Sequence, residues 1–293
     1  MPFRSGFIAI IGRPNAGKST LLNAILKEKV APVSDKPQTT RKIIRGFKNL
    51  KDAQMVFIDT PGIHAGKGLL NEFMVSQALS TISGADVALY LVEGTRPVSE
   101  DDRFIIGGLK RAAPPVVLAV NKTDKVADKR ELLPVIEAYS RIYPFKEIVP
   151  ISAATGDGVD GLLETLSGYL PEGPRFFAGD EITDAPERVI AAEMIREKVF
   201  RFTHDEVPYS TAVLVERFKE KKGLVSISAV INVERETQKG IVIGSNGAML
   251  KRIGTEARQD MERLLGVRVY LELFVRVEKD WTKNPKALKG FGY

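Results

Sequence analysis

The sequence predicts an α/β domain built on a mostly parallel sheet, followed by a smaller α+β domain. Three observations carry this reading. Short apolar runs alternate with helical patterns through the first part of the chain, as in successive βα units. One such run, Phe7-Ile8-Ala9-Ile10-Ile11, feeds a glycine-rich turn that opens a helix. Pro171-Glu172-Gly173-Pro174 then breaks the alternation, and the order of elements changes beyond it.

In chain order, strands are predicted at Phe7–Ile11, Ile43–Phe47, Met55–Ile58, Asp86–Val92, Val116–Val120 and Glu147–Pro150. Helical patterns lie between them, at Lys18–Leu26, Glu100–Arg111, Glu131–Tyr143 and Val159–Leu170. Residues 1–172 are read as the first domain. Residues 173–185, rich in Pro, Gly and charge, are read as a linker. Residues 186–293 form the second domain. It begins with a helix at Pro186–Phe202 and two strands, Thr211–Phe218 and Leu224–Val233, turned at Gly223. After Gly244-Ser245-Asn246-Gly247 come a helix at Ala248–Leu265 and a strand at Val267–Val277, giving the order α-β-β-α-α-β.

The 293 residues exceed one typical domain, and a hydrophobic fraction of 44% can bury two cores. No apolar run is long enough to span a bilayer, so no transmembrane segment is expected. Met1-Pro2-Phe3-Arg4-Ser5-Gly6 runs straight into the first strand, and no signal peptide is expected. With no cysteine and two histidines, disulfides are excluded and a His/Cys zinc site is implausible. The net charge of +6 favours an anionic partner only mildly. It is evenly spread: 23 Lys+Arg face 20 Asp+Glu in residues 1–180, and 20 face 17 in residues 181–293. Nucleic-acid binding must therefore rest on motifs.

Gly12-Arg13-Pro14-Asn15-Ala16-Gly17-Lys18-Ser19 fits G-x-x-x-x-G-K-[ST] in its required strand-to-helix context. The glycines let backbone N–H groups turn inward around a phosphate, and the helix adds its positive end. Lys18 reaches the β- and γ-phosphates, Ser19 ligates Mg²⁺, and Thr20 follows them into the helix. Asp59-Thr60-Pro61-Gly62 follows the third predicted strand; Asp59 holds a water on Mg²⁺, and the Gly62 N–H approaches the γ-phosphate. Asn121-Lys122-Thr123-Asp124 follows the fifth. A carboxylate at Asp124 accepts from N1–H and the 2-amino group of guanine, and adenine would leave it unpaired. This argues for GTP over ATP. Asn121 ties the loops together, and the Lys122 stem lies over the ring. Ser152-Ala153-Ala154 follows the sixth strand and offers a backbone N–H to the base. Thr39 and Thr40 precede Arg41; Thr40, next to the arginine, is chosen as the residue that closes on Mg²⁺.

This set resembles the translation-factor-related GTPases. Many small GTPases place a water-orienting Gln just after the DxxG turn, where this chain has Ile63. Slow intrinsic hydrolysis is expected, with Lys18, Thr40, Gly62 and Asn15 as the catalytic group. The resemblance implies K⁺ as an additional cofactor beside GTP/GDP and Mg²⁺, with Asn15 its candidate ligand. His64 is read as a solvated loop residue.

The stretch from Ile241 to Gly254 resembles the KH signature I-G-x-x-G-x-x-[IL]-[KR]-x-I-G, and the element order is that of the type II KH domain. A GxxG turn lets a nucleic-acid backbone approach the main chain. The candidate RNA contacts are Ile243, Gly244, Ser245, Asn246, Gly247, Lys251 and Arg252, with Ile243, Leu250 and Ile253 as the apolar floor. Many such loops carry a Lys or Arg between the glycines; Ser245-Asn246 here forgoes that charge.

Together the halves resemble the Era family, bacterial GTPases with a C-terminal KH domain. The match rests on GRPNAGKST, Pro37–Arg41, DTPG, NKTD, Ile195-Arg196-Glu197-Lys198, Glu206–Ser210 and the KH stretch. The resemblance implies binding to the 3′ end of small-subunit ribosomal RNA and assistance in 30S maturation. It also implies a cytoplasmic, monomeric protein with peripheral membrane association. The bound nucleotide would order the loops around Thr40 and Gly62 and reorient the KH unit about Pro171–Asp180. Two other readings are a stress or cell-cycle signalling GTPase whose KH unit binds protein, and a scaffold that holds GTP without turnover. In the tail, Trp281 is expected to pack on the KH unit, with the lysines solvated.

Overall fold

The computed structural model describes residues 2–64, 68–112 and 114–293. Its elements in chain order are β1 (Arg4–Ile11), α1 (Lys18–Leu26), β2 (Ile44–Asn49), β3 (Ala53–Asp59), α2 (Leu69–Ser83), β4 (Val87–Glu93), α3 (Glu100–Ala112), β5 (Val116–Asn121), α4 (Leu132–Ile142), β6 (Glu147–Pro150) and α5 (Val159–Tyr169). There follow α6 (Glu187–Phe202), β7 (Ala212–Lys221), β8 (Leu224–Val233), α7 (Glu236–Ile243), α8 (Ala248–Leu265), β9 (Arg268–Val277) and α9 (Pro285–Gly290). The helix α2 was not among those predicted. Its apolar residues are spread around the axis and leave no stripe of helical period.

The chain divides into two compact units. The first holds a six-stranded sheet in the order β2-β3-β1-β4-β5-β6. Only β2 runs antiparallel, against β3. The other neighbours are parallel. Every residue of β4 and β5 is buried, which explains the apolar runs Val87–Val92 and Val116–Val120. The carboxyl ends of β1, β3 and β5 open into Gly12, Asp59 and Asn121, so the sequence motifs lie at one edge of the sheet.

Residues 173–184, expected as a linker, are fastened to this first sheet. Phe177 stacks on Phe47 with centroids 3.8 Å apart, and Phe176 on Phe7 at 5.2 Å. The Gln54 carboxamide accepts from the Phe176 N–H at 2.7 Å and donates to the Phe177 carbonyl at 2.9 Å. Phe47 N–H donates to Ile182 O, and Arg45 pairs with Asp184 at 2.9 Å. Two phenylalanine ring contacts, the exposed Phe176 on Phe7 and the half-buried Phe177 on Phe47, hold the segment to this sheet.

The second unit contains residues from Ala185 onward together with Lys29–Thr40 and Gly68–Asn71. Its three strands run in the order β7-β8-β9, antiparallel then parallel. With α6, α7 and α8 this gives α-β-β-α-α-β. Ile195 and Val199 of α6, Ile227 and Ile231 of β8, and Ile253 and Ala257 of α8 form its fully buried core. Trp281 is also fully buried: its Nε1–H donates to Ser210 O at 2.8 Å, and Phe291 and Tyr293 pack on the ring. The tail lysines Lys279, Lys283, Lys286 and Lys289 are exposed.

Lys29–Thr40 is held within this unit by charge. Lys29 Nζ lies 2.7 Å from both Glu197 and Asp260. Lys198 bridges the same two carboxylates, at 3.0 and 2.5 Å. Glu197 also accepts from the Val33 N–H, and Lys36 Nζ donates to Phe200 O. Arg196 donates to the Thr39 carbonyl while paired with Glu193.

Candidate functional site

The phosphate loop leaves β1 at Gly12 and enters α1 through Gly17. Gly17 sits at φ 99°, and a Cβ there would stand 2.3 Å from Asn121 Nδ2; only glycine fits both demands. Lys18 is buried, and its Nζ donates to Gly12 O at 3.2 Å and Arg13 O at 3.0 Å. Burial pushes its ammonium down to about 8, against the opposing pull of the Asp59 carboxylate. Ser19 Oγ donates to Asp59 Oδ2 at 2.6 Å, so the two oxygen donors proposed for a metal are already adjacent. Hard oxygen ligands of this kind suit Mg²⁺. Among the described residues, no cluster of three or more His, Cys, Asp or Glu offers an all-protein metal cage.

The DTPG turn is tied to the phosphate loop. Thr60 Oγ1 donates to Ile10 O at 2.8 Å and Ile63 N–H to Gly12 O at 3.2 Å. Gly62 abuts Pro14, where a Cβ would come within 2.8 Å of the proline Cα. Ile63 is fully buried. Asn15 adopts φ 65° in the loop, with Ala16 buried beside it; Thr20 lies in the first turn of α1.

Asn121 joins two of the loops. Its Nδ2 donates to Ala16 O at 2.8 Å, and its Oδ1 accepts from the Ala153 N–H at 2.9 Å. Ser152 Oγ donates to Asp124 Oδ1 at 2.6 Å and accepts from Thr155 N–H. The β5 and β6 loops also meet through Thr123 N–H and Ile151 O. Ala154 continues the same turn. Lys122 pairs at 2.7 Å with Glu93, a buried residue ending β4 that sequence reasoning missed because no motif contains it.

Thr39 and Thr40, both buried, belong to the segment described with the second unit. The Thr39 hydroxyl donates to Lys36 O at 2.7 Å and meets Ser34 Oγ at 2.6 Å.

In the second unit, Gly244-Ser245-Asn246-Gly247 forms a tight turn between α7 and α8. Gly244 has φ 72° and would clash with Met249 if it carried a Cβ. Ser245 and Asn246 are exposed, with Asn246 at φ 50°. A groove of about 390 Å³ runs beside the turn, lined by Gly247, Lys251, Thr255, Arg258, Leu271 and Leu273 among others. Thr255 and Arg258 were not anticipated; they lie one and two turns along α8 from Lys251, a helical spacing the motif itself does not contain. Two details differ from expectation. Val242, not Ile243, is the fully buried residue ahead of the turn. Arg252 does not line the groove: its guanidinium lies 4.0 Å from the Phe202 ring centroid and 3.9 Å from Glu256.

A guanine-nucleotide-type P-loop unit joined to a KH unit defines the class: a GTPase carrying a nucleic-acid-binding module. Residues 7–122 match the 50S ribosome-binding GTPase family, and residues 206–282 the KH domain family. The chain is 60% identical to GTPase Era of Geotalea uraniireducens (strain Rf4), over 99% of this chain and 98% of that protein. It is 58% identical to GTPase Era of Geobacter metallireducens, over 100% and 98%. Two solved Era structures superpose with TM-scores of 0.96 at 42% identity, over 99% of each chain. One is a variant from Aquifex aeolicus bound to GDP and AlF4⁻; the other is a complex with MgGDPNP and nucleotides 1506–1542 of 16S ribosomal RNA. The chain belongs to the GTPase Era family and is a GTP-hydrolysing enzyme.

Proposed function

We propose that this GTPase is a Mg²⁺-dependent GTP/GDP switch that binds the 3′ end of small-subunit ribosomal RNA and assists 30S maturation. In this reading residues 1–172 bind nucleotide and residues 186–293 bind RNA. The proposed nucleotide contacts are Gly12, Asn15 to Thr20, Asp59, Gly62, Asn121, Lys122, Asp124 and Ser152 to Ala154. The observation that carries it is the Asn121 bridge, which draws the phosphate loop and the base-side loop into one site. Ser19, Asp59 and Thr40 are the proposed Mg²⁺ residues. When bound, Mg²⁺ neutralises charge developing on the phosphates. Lys18 contributes a buried cation to the same end, and the Gly62 N–H a fixed donor.

Ile63 has no group with which to orient water, so intrinsic hydrolysis is proposed to be slow and to need K⁺ held at Asn15. Single-turnover rates in K⁺ and Na⁺ test this; equal rates reject the ion's role. The relative solved with 16S nucleotides supports the RNA target. The proposed contacts are Ile243 to Gly247 and Lys251, with Arg252 contributing through its exposed edge. The protein is taken as a cytoplasmic monomer, peripheral at the inner membrane face; among the described residues no helix is long and apolar enough to cross a membrane. Crosslinking and sequencing of RNA on the GTP-loaded protein tests the target. Reads concentrated at the 16S 3′ end, with crosslinks at Gly244–Gly247, are expected; reads scattered over unrelated RNA refute it.

A further inference from the structure

Asp102 and Tyr90 belong to none of the nucleotide motifs, yet both are fully buried. Asp102 lies in the first turn of α3. Its Oδ2 accepts from the Ser99 N–H at 2.8 Å and the Ser99 hydroxyl at 2.7 Å, while Ser99 Oγ receives the Asp102 N–H at 3.4 Å. That reciprocal arrangement is a helix cap. The other oxygen accepts from Tyr90 OH at 2.5 Å and stands 3.3 Å from Arg13 Nε. A second Arg13 nitrogen donates to Ser99 Oγ at 3.1 Å. A carboxylate buried this fully needs a cation, and Arg13 is the one that meets it.

Arg13 is the second residue of the phosphate loop. Its carbonyl accepts from Lys18 Nζ and from the Ala16 N–H. The residue whose main chain braces the loop from within is thus pinned from outside by its side chain. We infer that Asp102 and Ser99 anchor Arg13 and thereby position the phosphate loop for nucleotide. Asp102 acts through Arg13 and touches no reacting atom, so the two are positioning residues. The inference rests on the nucleotide reading above.

The test uses the full chain and a fluorescent GDP analogue, with thermal melts alongside. Arg13→Gln removes the mostly buried guanidinium while leaving the Asp102–Ser99 cap and the Tyr90 bond in place. It should weaken GDP about tenfold, Arg13→Lys should stay within about threefold of the unaltered protein, and the Arg13→Gln/Asp102→Asn double variant should bind no worse than the weaker single. An Arg13→Gln protein that binds GDP as tightly as the unaltered one overturns the anchor, as do additive losses in the double variant. If Asp102→Asn does not fold, the contrast between Arg13→Gln and Arg13→Lys still decides. Failure of the unaltered protein to bind GDP would instead refute the nucleotide reading.

Discussion

Replacing Asn121 by alanine tests the junction on which the nucleotide site depends. The side chain is 2% exposed, and its partners Ala16 and Ala153 are 1% and 3% exposed. Truncation strands the Ala16 carbonyl and the Ala153 amide. Each buried group left unsatisfied costs about 1–3 kcal/mol, so the pair costs about 2–6 kcal/mol. In a domain of this size, a loss of about 3 kcal/mol, in the lower half of that range, corresponds to a melting temperature lower by roughly 6–12 °C. If half of that loss falls on loop geometry needed for binding, GDP affinity drops by about tenfold. Asn121→Asp separates the two bonds: one carboxylate oxygen still accepts from Ala153 N–H, but the other faces the Ala16 carbonyl with no hydrogen to offer. It should therefore impair binding as much as alanine does. Thermal melts and GDP titration measure both quantities. An alanine variant that melts within about 2 °C of the parent and binds GDP unchanged would show that the loops converge without this residue.

Ser152→Ala removes the hydroxyl that orients Asp124; a bond to a charged acceptor is worth about 1.5–3 kcal/mol, so the preference for GTP over ATP should fall by about tenfold or more in competition binding. Arg196→Ala strands the buried Glu193 carboxylate and should cost about 3–5 kcal/mol in a melt, whereas Arg196→Met with Glu193→Leu should recover most of it. Lys251→Ala should reduce the slope of log affinity for single-stranded RNA against log salt by about 0.7. Arg252→Ala should change that slope less, because Phe202 and Glu256 already hold the guanidinium.

Features governed by local sequence were legible from sequence alone. The order of strands, and of the helices other than α2 and α9, followed from alternating apolar runs, and the turns at Gly12–Gly17, Asp59–Gly62 and Gly244–Gly247 lie where the glycine-bearing motifs place them. Base-side pairing was legible in kind: Asn121 was read as a tie between loops, and it makes that tie with both ends of its carboxamide. The attachment of residues 173–184 to the first sheet was not legible, for a reason that is equally physical. Phe176 and Phe177 read as two apolar residues among prolines and glycines, and nothing nearby in the chain says that Phe7, Phe47 and Gln54 wait to receive them.

The charges least legible in the sequence are those that position others. Asp102 reads as one of three acidic residues opening a helix, a pattern that the helix dipole alone explains. Glu93 falls just past the predicted strand Asp86–Val92 and belongs to no motif. Yet Asp102 faces Arg13 and Glu93 faces Lys122, so two of the four nucleotide loops each have a cation held by a carboxylate that no motif includes. Burying a carboxylate is unfavourable unless a cation meets it, and that requirement ties the position of the loop cation to a rigid element of the fold. Motif spacing records which groups face the nucleotide. The groups that hold them there are distant in sequence and are found only from the partners their buried charges require.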